Sequence, residues 1–336
     1  MSTRRKLKFA ICAPSDESRE AITNACIQND AEYFQYNILG DDWYEKITEV
    51  EVDGILIQPP CNYEEHKQII DERVFVISTK LKILTYPSLE EILVYENKRN
   101  MSYWCEIYQL PTAKTKIFTN LKDSLNYINS TSFPVVSKSN VGAGGTSVQI
   151  IKSKAKAISL AKSLFGRYHP EFALGHAPWG VKKGIRFPRL GRIQKHYMIL
   201  QEFLPIKWEW RLIRIGDSYF GHQKLLGSDQ KASGSLKVGW EQPPTHLLEM
   251  LKKFSDDSGF RTVALDIFET IDGNYSVNEI QPLIGAYAPS QMYINGVPGR
   301  YKYSNGSFLF EEGEFCKNKC WDLRVQDLVK LVVRKR

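Results

Sequence analysis

The run Phe133-Pro-Val-Val-Ser-Lys-Ser-Asn-Val-Gly-Ala-Gly-Gly-Thr-Ser-Val148 decides how the rest of this 336-residue chain is read. Its first half is an apolar strand that ends in Lys138. A loop with Gly142, Gly144 and Gly145 follows, and then a second β-like run, 148–151. A lysine at a strand end can hold a phosphate charge where little water competes. Glycines let backbone N–H groups approach phosphate oxygens with no Cβ in the way. A nucleotide polyphosphate suits such an arrangement; the plainer alternative is an ordinary hairpin loop. The run is not a Walker A motif, because no Gly-Lys-Ser/Thr closes the loop and opens a helix.

On the N-terminal side, residues 7–95 alternate apolar runs with amphipathic stretches. Strands are expected at 8–12, 32–38, 52–57 and 82–85, with helices at 16–28, capped by Ser15 or Asp16, and at 64–70. Strands spaced by helices imply a parallel α/β sheet. The first strand is followed by Ala13-Pro-Ser-Asp16 and not by Gly-x-Gly-x-x-Gly, so the layer is Rossmann-like without the dinucleotide fingerprint. From Glu96 the character changes. A helix is expected at 97–108, a strand at 115–118, and helices at 121–128 and 155–165. Residues 166–195 are rich in Gly, Pro, His, Arg and Lys, with Trp179 and Phe187, and read as an exposed basic insertion.

Beyond Tyr197 the pattern is β again. Runs 198–204, 210–215 and 218–221 surround a hairpin turn at Gly216-Asp217; a helix is expected at 245–255; and 263–268 pairs with 275–280 across Asp272-Gly273. Two carboxylates stand out here. Asp266 lies in an otherwise apolar strand, and Glu279 lies near the end of its partner. Burying an unpaired carboxylate is costly, so a cation is expected to compensate them. Across a hairpin they can converge on Mg2+, a hard ion that shares oxygen ligands with substrate phosphates. Gln281 adds an oxygen on the face of Glu279, because residues i and i+2 of a strand point the same way. A solvated sheet face is the alternative reading.

The ordered set Asn97-Lys98, Pro134–Lys138 with its glycine loop, Gln201-Glu-Phe-Leu204, Glu209-Trp-Arg211 and Asp266 with Asn278-Glu-Ile-Gln281 resembles the ATP-grasp superfamily. More narrowly it is similar to ligases of the RimK and glutathione-synthetase type. The resemblance covers about 96–290 and implies an α/β chain with α+β character in the grasp, preceded by a Rossmann-like parallel domain. The divisions are expected at 1–95, 96–199 with the insertion at 166–195, 200–290 and a C-terminal extension 291–336. It implies that Lys98 and Lys138 contact ATP phosphates and that Gly142, Gly144, Gly145 and Thr146 close over them. Gln201, Glu202, Phe203 and Leu204 would form the adenine-reading hinge, and Glu209 would bind ribose. Arg211 and Lys224 would stabilise the transferred phosphoryl group. Asp266, Glu279 and Gln281 would hold one or two Mg2+, with Mn2+ as a substitute.

The loop Lys231-Ala-Ser-Gly-Ser235 and the tail from Gly296-Val-Pro-Gly-Arg-Tyr301 through Glu312-Gly313 resemble a little-characterised ATP-grasp group found among bacterial surface-polysaccharide genes. That likeness implies a loop bordering the acceptor and the phosphates, with Ser233 and Gly234 in a catalytic role. Two positions depart from pattern: Gln281 stands where the family usually has Asn, and Lys231 where the narrower group has Arg.

Composition bounds the alternatives. Hydrophobic residues make up 43% and charged residues 25%, as in ordinary globular proteins. No apolar run reaches the ~18 residues of a membrane span, and the basic N-terminus does not lead into a signal-peptide core, so a cytoplasmic protein is expected. Of six cysteines only Cys316 and Cys320 are close. With no second pair or nearby histidine the zinc case is weak, and reduced thiols are expected. A net charge of +7 suits anionic ligands, but no nucleic-acid-binding motif accompanies it, so no nucleic-acid partner is expected. The expected partners are small or glycan-linked carboxylates and amines; the oligomeric state stays open, a homodimer being the option that similar ligases suggest. A kinase on the same fold and an ATP-binding protein without turnover are the competing readings. Tyr287, Tyr293, Tyr301 and Trp321 could wall an acceptor site or simply pack.

Overall fold

The computed structural model describes residues 5–60, 63–142, 148–166, 172–173, 191–192, 194–227, 232, 235, 237–286 and 288–335. Its first layer is a parallel sheet of order β2-β1-β3-β4, made of β1 (Lys8–Cys12), β2 (Glu32–Gln35), β3 (Gly54–Ile57) and β4 (Thr85–Tyr86). Alternation along β1 splits the core in two. Phe9 and Ile11 pack with α1 (Asp16–Gln28), whereas Ala10 packs with Ile70, Val74 and Ile77 of α3 (Glu64–Thr79). The Ser15 hydroxyl caps α1, as its position predicts. Two helices were not legible as such, α2 (Trp43–Glu49) and α4 (Leu89–Val94). The latter begins with a reciprocal capping box between Ser88 and Glu91. The strand expected at 82–85 is displaced to β4 because Lys82 takes a left-handed turn conformation, φ 59°.

The chain then enters α5 (Lys98–Ile107) and an antiparallel sheet of order β5-β10-β6-β7. Its strands are β5 (Thr115–Phe118), β6 (Val135–Lys138), β7 (Val148–Ile151) and β10 (Met198–Glu202); a short pair, β8 (Phe172–Ala173) and β9 (Gly191–Arg192), lies between them in sequence. Most of the basic insertion lies outside the described residues. One face of this sheet carries Val135, Ile151, Met198 and Leu200 onto α6 (Leu121–Ser130) and α7 (Lys154–Phe165). The register pairs Val136 with Ile150 and Lys138 with Val148, so these four side chains share the opposite face.

A larger antiparallel sheet faces it. β11 (Ile206–Ile215), β12 (Ser218–Lys224), β13 (Val238–Gly239), β14 (Thr262–Thr270), β15 (Tyr275–Gln281), β16 (Tyr293–Ile294), β17 (Val297–Ser304) and β18 (Ser307–Glu312) are joined in the order β15-β14-β11-β12-β17-β16, with β13 on β12 and β18 on β17. Leu212, Leu265 and Ile267 bury one side against Leu247, Leu251 and Phe254 of the helix Thr245–Ser258. The final helix, Trp321–Lys335, returns to the first layer, where Trp321, Val325 and Leu328 pack with Phe9, Ile11 and Leu56. Among the described residues no helix is long and apolar enough to cross a membrane.

Candidate functional site

The two antiparallel sheets face each other across a cleft of about 380 Å³. Val136, Lys138, Val148 and Ile150 line it from one jaw; Glu209, Phe268, Asn278 and Glu279 line it from the other. Gln201, Glu202, Phe203 and Leu204 close one end, in the connector that the sequence assigns to the hinge. The Gln201 amide, on the cleft face opposite Val136, donates to Thr115 Oγ1 at 2.9 Å.

Pairing explains why charges gather on one side of the larger sheet. Arg211 sits opposite both Asp266 and His222, and Glu209 sits opposite Lys224. Directly opposed residues share a face. Asp266 in turn is paired with Glu279. Strict alternation would send Asn278 and Glu279 to opposite faces, yet both line the cleft. A register shift after the Asp266–Glu279 pair, where Ile267 already pairs with Val277, leaves Asn278 as an extra residue and re-aims it.

Asn278 joins the jaws. Its Oδ1 accepts from Lys138 Nζ at 2.8 Å, and its Nδ2 donates to Glu209 Oε2 at 3.0 Å. Burial, reinforced by the nearby Lys98 charge, pushes the Lys138 ammonium down to about 8 despite Glu279. Lys98 opens α5, where Asn97 caps the helix and Lys98 Nζ donates to Gly142 O at 2.7 Å. Its backbone N–H also donates to Asn140 O at 3.1 Å, tying the helix N-terminus to the chain just before the glycine loop. Such a terminus favours anions. Gly144, Gly145 and Thr146 lie outside the described residues, as do Lys231, Ser233 and Gly234. Ala232 lines the cleft, and Ser235 Oγ donates to Leu225 O at 2.6 Å.

The expected trio of oxygen donors divides. Both oxygens of the fully buried Asp266 accept from Arg211, Oδ1 from Nε at 2.8 Å and Oδ2 from Nη2 at 2.7 Å, and Lys224 Nζ donates to Oδ2 at 2.9 Å. Burial opposes ionisation of Asp266, but Arg211 and Lys224 outweigh it and hold its carboxyl well below the usual range. Lys224 also pairs with the buried Glu209 carboxylate. Glu209, assigned by resemblance to ribose, therefore has its oxygens on Lys224 and Asn278. Glu279 and Gln281 instead meet Glu96, which sequence reasoning passed over. Gln281 Nε2 donates to Glu96 Oε1 at 3.2 Å and to Glu279 Oε2 at 3.4 Å. Burial, opposed by Lys98 and aided by Glu279, pushes the Glu96 carboxyl up to about 7.

No group of three or more His, Cys, Asp or Glu side chains in metal-holding geometry occurs among the described residues. The fit to a hard cation rests instead on two buried oxygens, Glu96 Oε2 and Gln281 Oε1, which have no hydrogen-bond partner among the described residues. Oxygen donors of this kind suit Mg2+. Of the candidate wall residues, Trp321 and Tyr301 are buried in cores, Tyr287 lies outside the described residues, and Tyr293 stacks edge-on with Trp240 at 4.5 Å between ring centroids.

No protein-family model matches the sequence, and no curated protein matches it. Solved structures do match. The ADP complex of N5-carboxyaminoimidazole ribonucleotide synthetase aligns over 84% of this chain and 72% of its own, with a TM-score of 0.58 and 14% identity. A RimK-domain ATP-grasp protein from Sphaerobacter thermophilus aligns over 81% of this chain and 90% of its own, at 0.52 and 13%. The biotin carboxylase domain of Hydrogenobacter thermophilus 2-oxoglutarate carboxylase, in complex with MgADP, ADP and bicarbonate, aligns over 84% and 65%, at 0.59 and 13%. This chain has the ATP-grasp fold.

Proposed function

We propose that the protein is an ATP- and Mg2+-dependent carboxylate–amine ligase that forms ADP and a carbon–nitrogen bond. The observation that carries this reading is the shared cleft: Lys138 on one jaw and Glu279 on the other line the same cavity, with Asn278 linking the jaws. Phosphoryl transfer needs positioning and positive charge more than a protein nucleophile. ATP would phosphorylate a substrate carboxylate to an acylphosphate; an amine would then attack the carbonyl carbon, expelling inorganic phosphate.

Lys98 and Lys138 would hold ATP phosphates, with the glycine loop folding over them and keeping water from the acylphosphate. Arg211 and Lys224 would face the charge that develops on the transferred group and on the tetrahedral adduct. Their ion pairs with Asp266 keep both cations oriented on the sheet face. Mg2+, bound by Glu279 and Gln281 with Asp266 near, would neutralise phosphate charge, and Mn2+ would serve in its place. A surface-polysaccharide substrate is the finer reading and is supported by the resemblance of the Lys231–Ser235 loop and the C-terminal tail alone.

The test is an ADP-release screen over pooled amino acids, amines and sugar nucleotides, with mass spectrometry of the responding pool. Inorganic phosphate is expected in step with ADP; phosphate retained on the product would identify a kinase instead. Lys138→Ala and Glu279→Ala should each lower ADP formation by at least a hundredfold. Near-normal turnover in either variant would remove the assignment of that residue.

A further inference from the structure

We propose that Glu96 supplies an oxygen to the divalent cation of this cleft, beside Glu279 and Gln281. The proposal rests on the reading of the cleft as a nucleotide–metal site and adds a ligand from the first turn before α5, outside the sheet that carries the other candidates. Glu96 takes φ 48°, an uncommon conformation for a residue with a Cβ, and its side chain is buried. It is 7% exposed, and Gln281 is 5% exposed.

The contacts are asymmetric. Each residue commits one polar atom to the other, and the second oxygen of each, Glu96 Oε2 and Gln281 Oε1, has no hydrogen-bond partner among the described residues, Glu96 Oε2 having only the distant ion pair with Lys98. Buried polar atoms in native proteins are nearly always satisfied, so a pair of neighbouring orphans that are both oxygens points to an electrophilic occupant. Lys98 Nζ is 3.9 Å from Glu96 Oε2, and it donates to Gly142 O. Asp266 is spoken for by Arg211 and Lys224, which leaves Glu279 as the sheet's available carboxylate at this point. A second carboxylate from Glu96 would balance a doubly charged cation. The extra methylene of Gln281 is what lets its amide span Glu96 and Glu279 at once; an asparagine there would draw back from Glu96.

The probe is Mn2+, titrated by electron paramagnetic resonance at saturating non-hydrolysable ATP analogue, with analogue affinity in EDTA measured in parallel. Glu96→Gln should weaken Mn2+ at least tenfold while leaving metal-free analogue affinity within twofold. Gln281→Asn, which keeps an amide but breaks the link, should weaken Mn2+ in the same direction and serves if Glu96→Gln folds poorly by circular dichroism. Mn2+ affinity unchanged in both variants, with the analogue still bound, would overturn the Glu96 ligand and leave the ligase reading standing, the orphan oxygens then being a water site. Equal losses of Mn2+ and of metal-free analogue would also overturn it, as a purely structural effect. A wild-type protein that binds no analogue would overturn both.

Discussion

Lys138 is held by an amide and not by a carboxylate, so its charge is incompletely offset until a phosphate arrives. With its ammonium pushed down to about 8 by burial, the free protein carries that charge below pH 8 and loses it above. ATP affinity should therefore fall as pH rises through 8, by about tenfold at one unit beyond, where a tenth of the lysines remain charged. Lys138→Arg, whose guanidinium stays charged, should flatten the profile, which nucleotide titrations between pH 7 and 9.5 would read. Asn278 makes the complementary case. It bonds both Lys138 and the buried Glu209, so Asn278→Ala removes the side-chain acceptor of Lys138 and leaves Glu209 Oε2 unsatisfied, with Lys224 still on Oε1. The expected cost is ~1–3 kcal/mol in urea unfolding, because an unsatisfied buried partner costs more than the bond itself contributes. Asn278 was visible as part of a motif, but its role was not, since alternation alone would aim it away from Glu279.

Paired strands turn this scatter of residues into one polar stripe. β11, β12 and β14 place Glu209, Lys224, Arg211 and Asp266 on a common face, and the bulge in β15 adds Asn278 without turning Glu279 away. Asp266→Ala should destabilise by ~3–5 kcal/mol, because it takes from the largely buried Arg211 its paired carboxylate, while Lys224 keeps only Glu209. The exposed helical pair Lys253–Asp257 is the natural control, and Asp257→Ala should change stability by less than about 1 kcal/mol. Denaturant titration of the two variants separates them. The hairpins themselves were readable because Gly216-Asp217 and Asp272-Gly273 interrupt apolar runs. The bulge was not, because nothing local in Val277-Asn-Glu279 distinguishes an inserted residue from a regular one.

The last helix, Trp321–Lys335, ties the first layer to the larger sheet. Trp321 lies at the junction of the last helix with β1 and α1, and Asp327 from the same helix pairs with Arg261 and accepts from the Tyr86 hydroxyl at 3.2 Å. Glu91, at the start of α4, accepts from the backbone N–H groups of Arg261 at 2.6 Å and Thr262 at 2.7 Å, so the first layer and the larger sheet are joined through buried polar contacts. Trp321→Ala should cost ~3–5 kcal/mol by core truncation while leaving ATP affinity unchanged. A changed affinity with unchanged stability would instead return Trp321 to the cleft.

Local pattern was enough for the strand–helix alternation of the first layer, the glycine-loop strands, both hairpins and the family resemblance, because periodicity, caps and turn residues act over a few positions. It could not supply the division of the acidic trio or the arrival of Glu96. Those depend on which side chains meet across 140 to 185 residues of sequence: Lys138 on Asn278, Gln281 on Glu96. Whether a carboxylate meets a guanidinium, an amide or a cation is set by strand register and by a single inserted residue, and neither leaves a short-range trace in the chain.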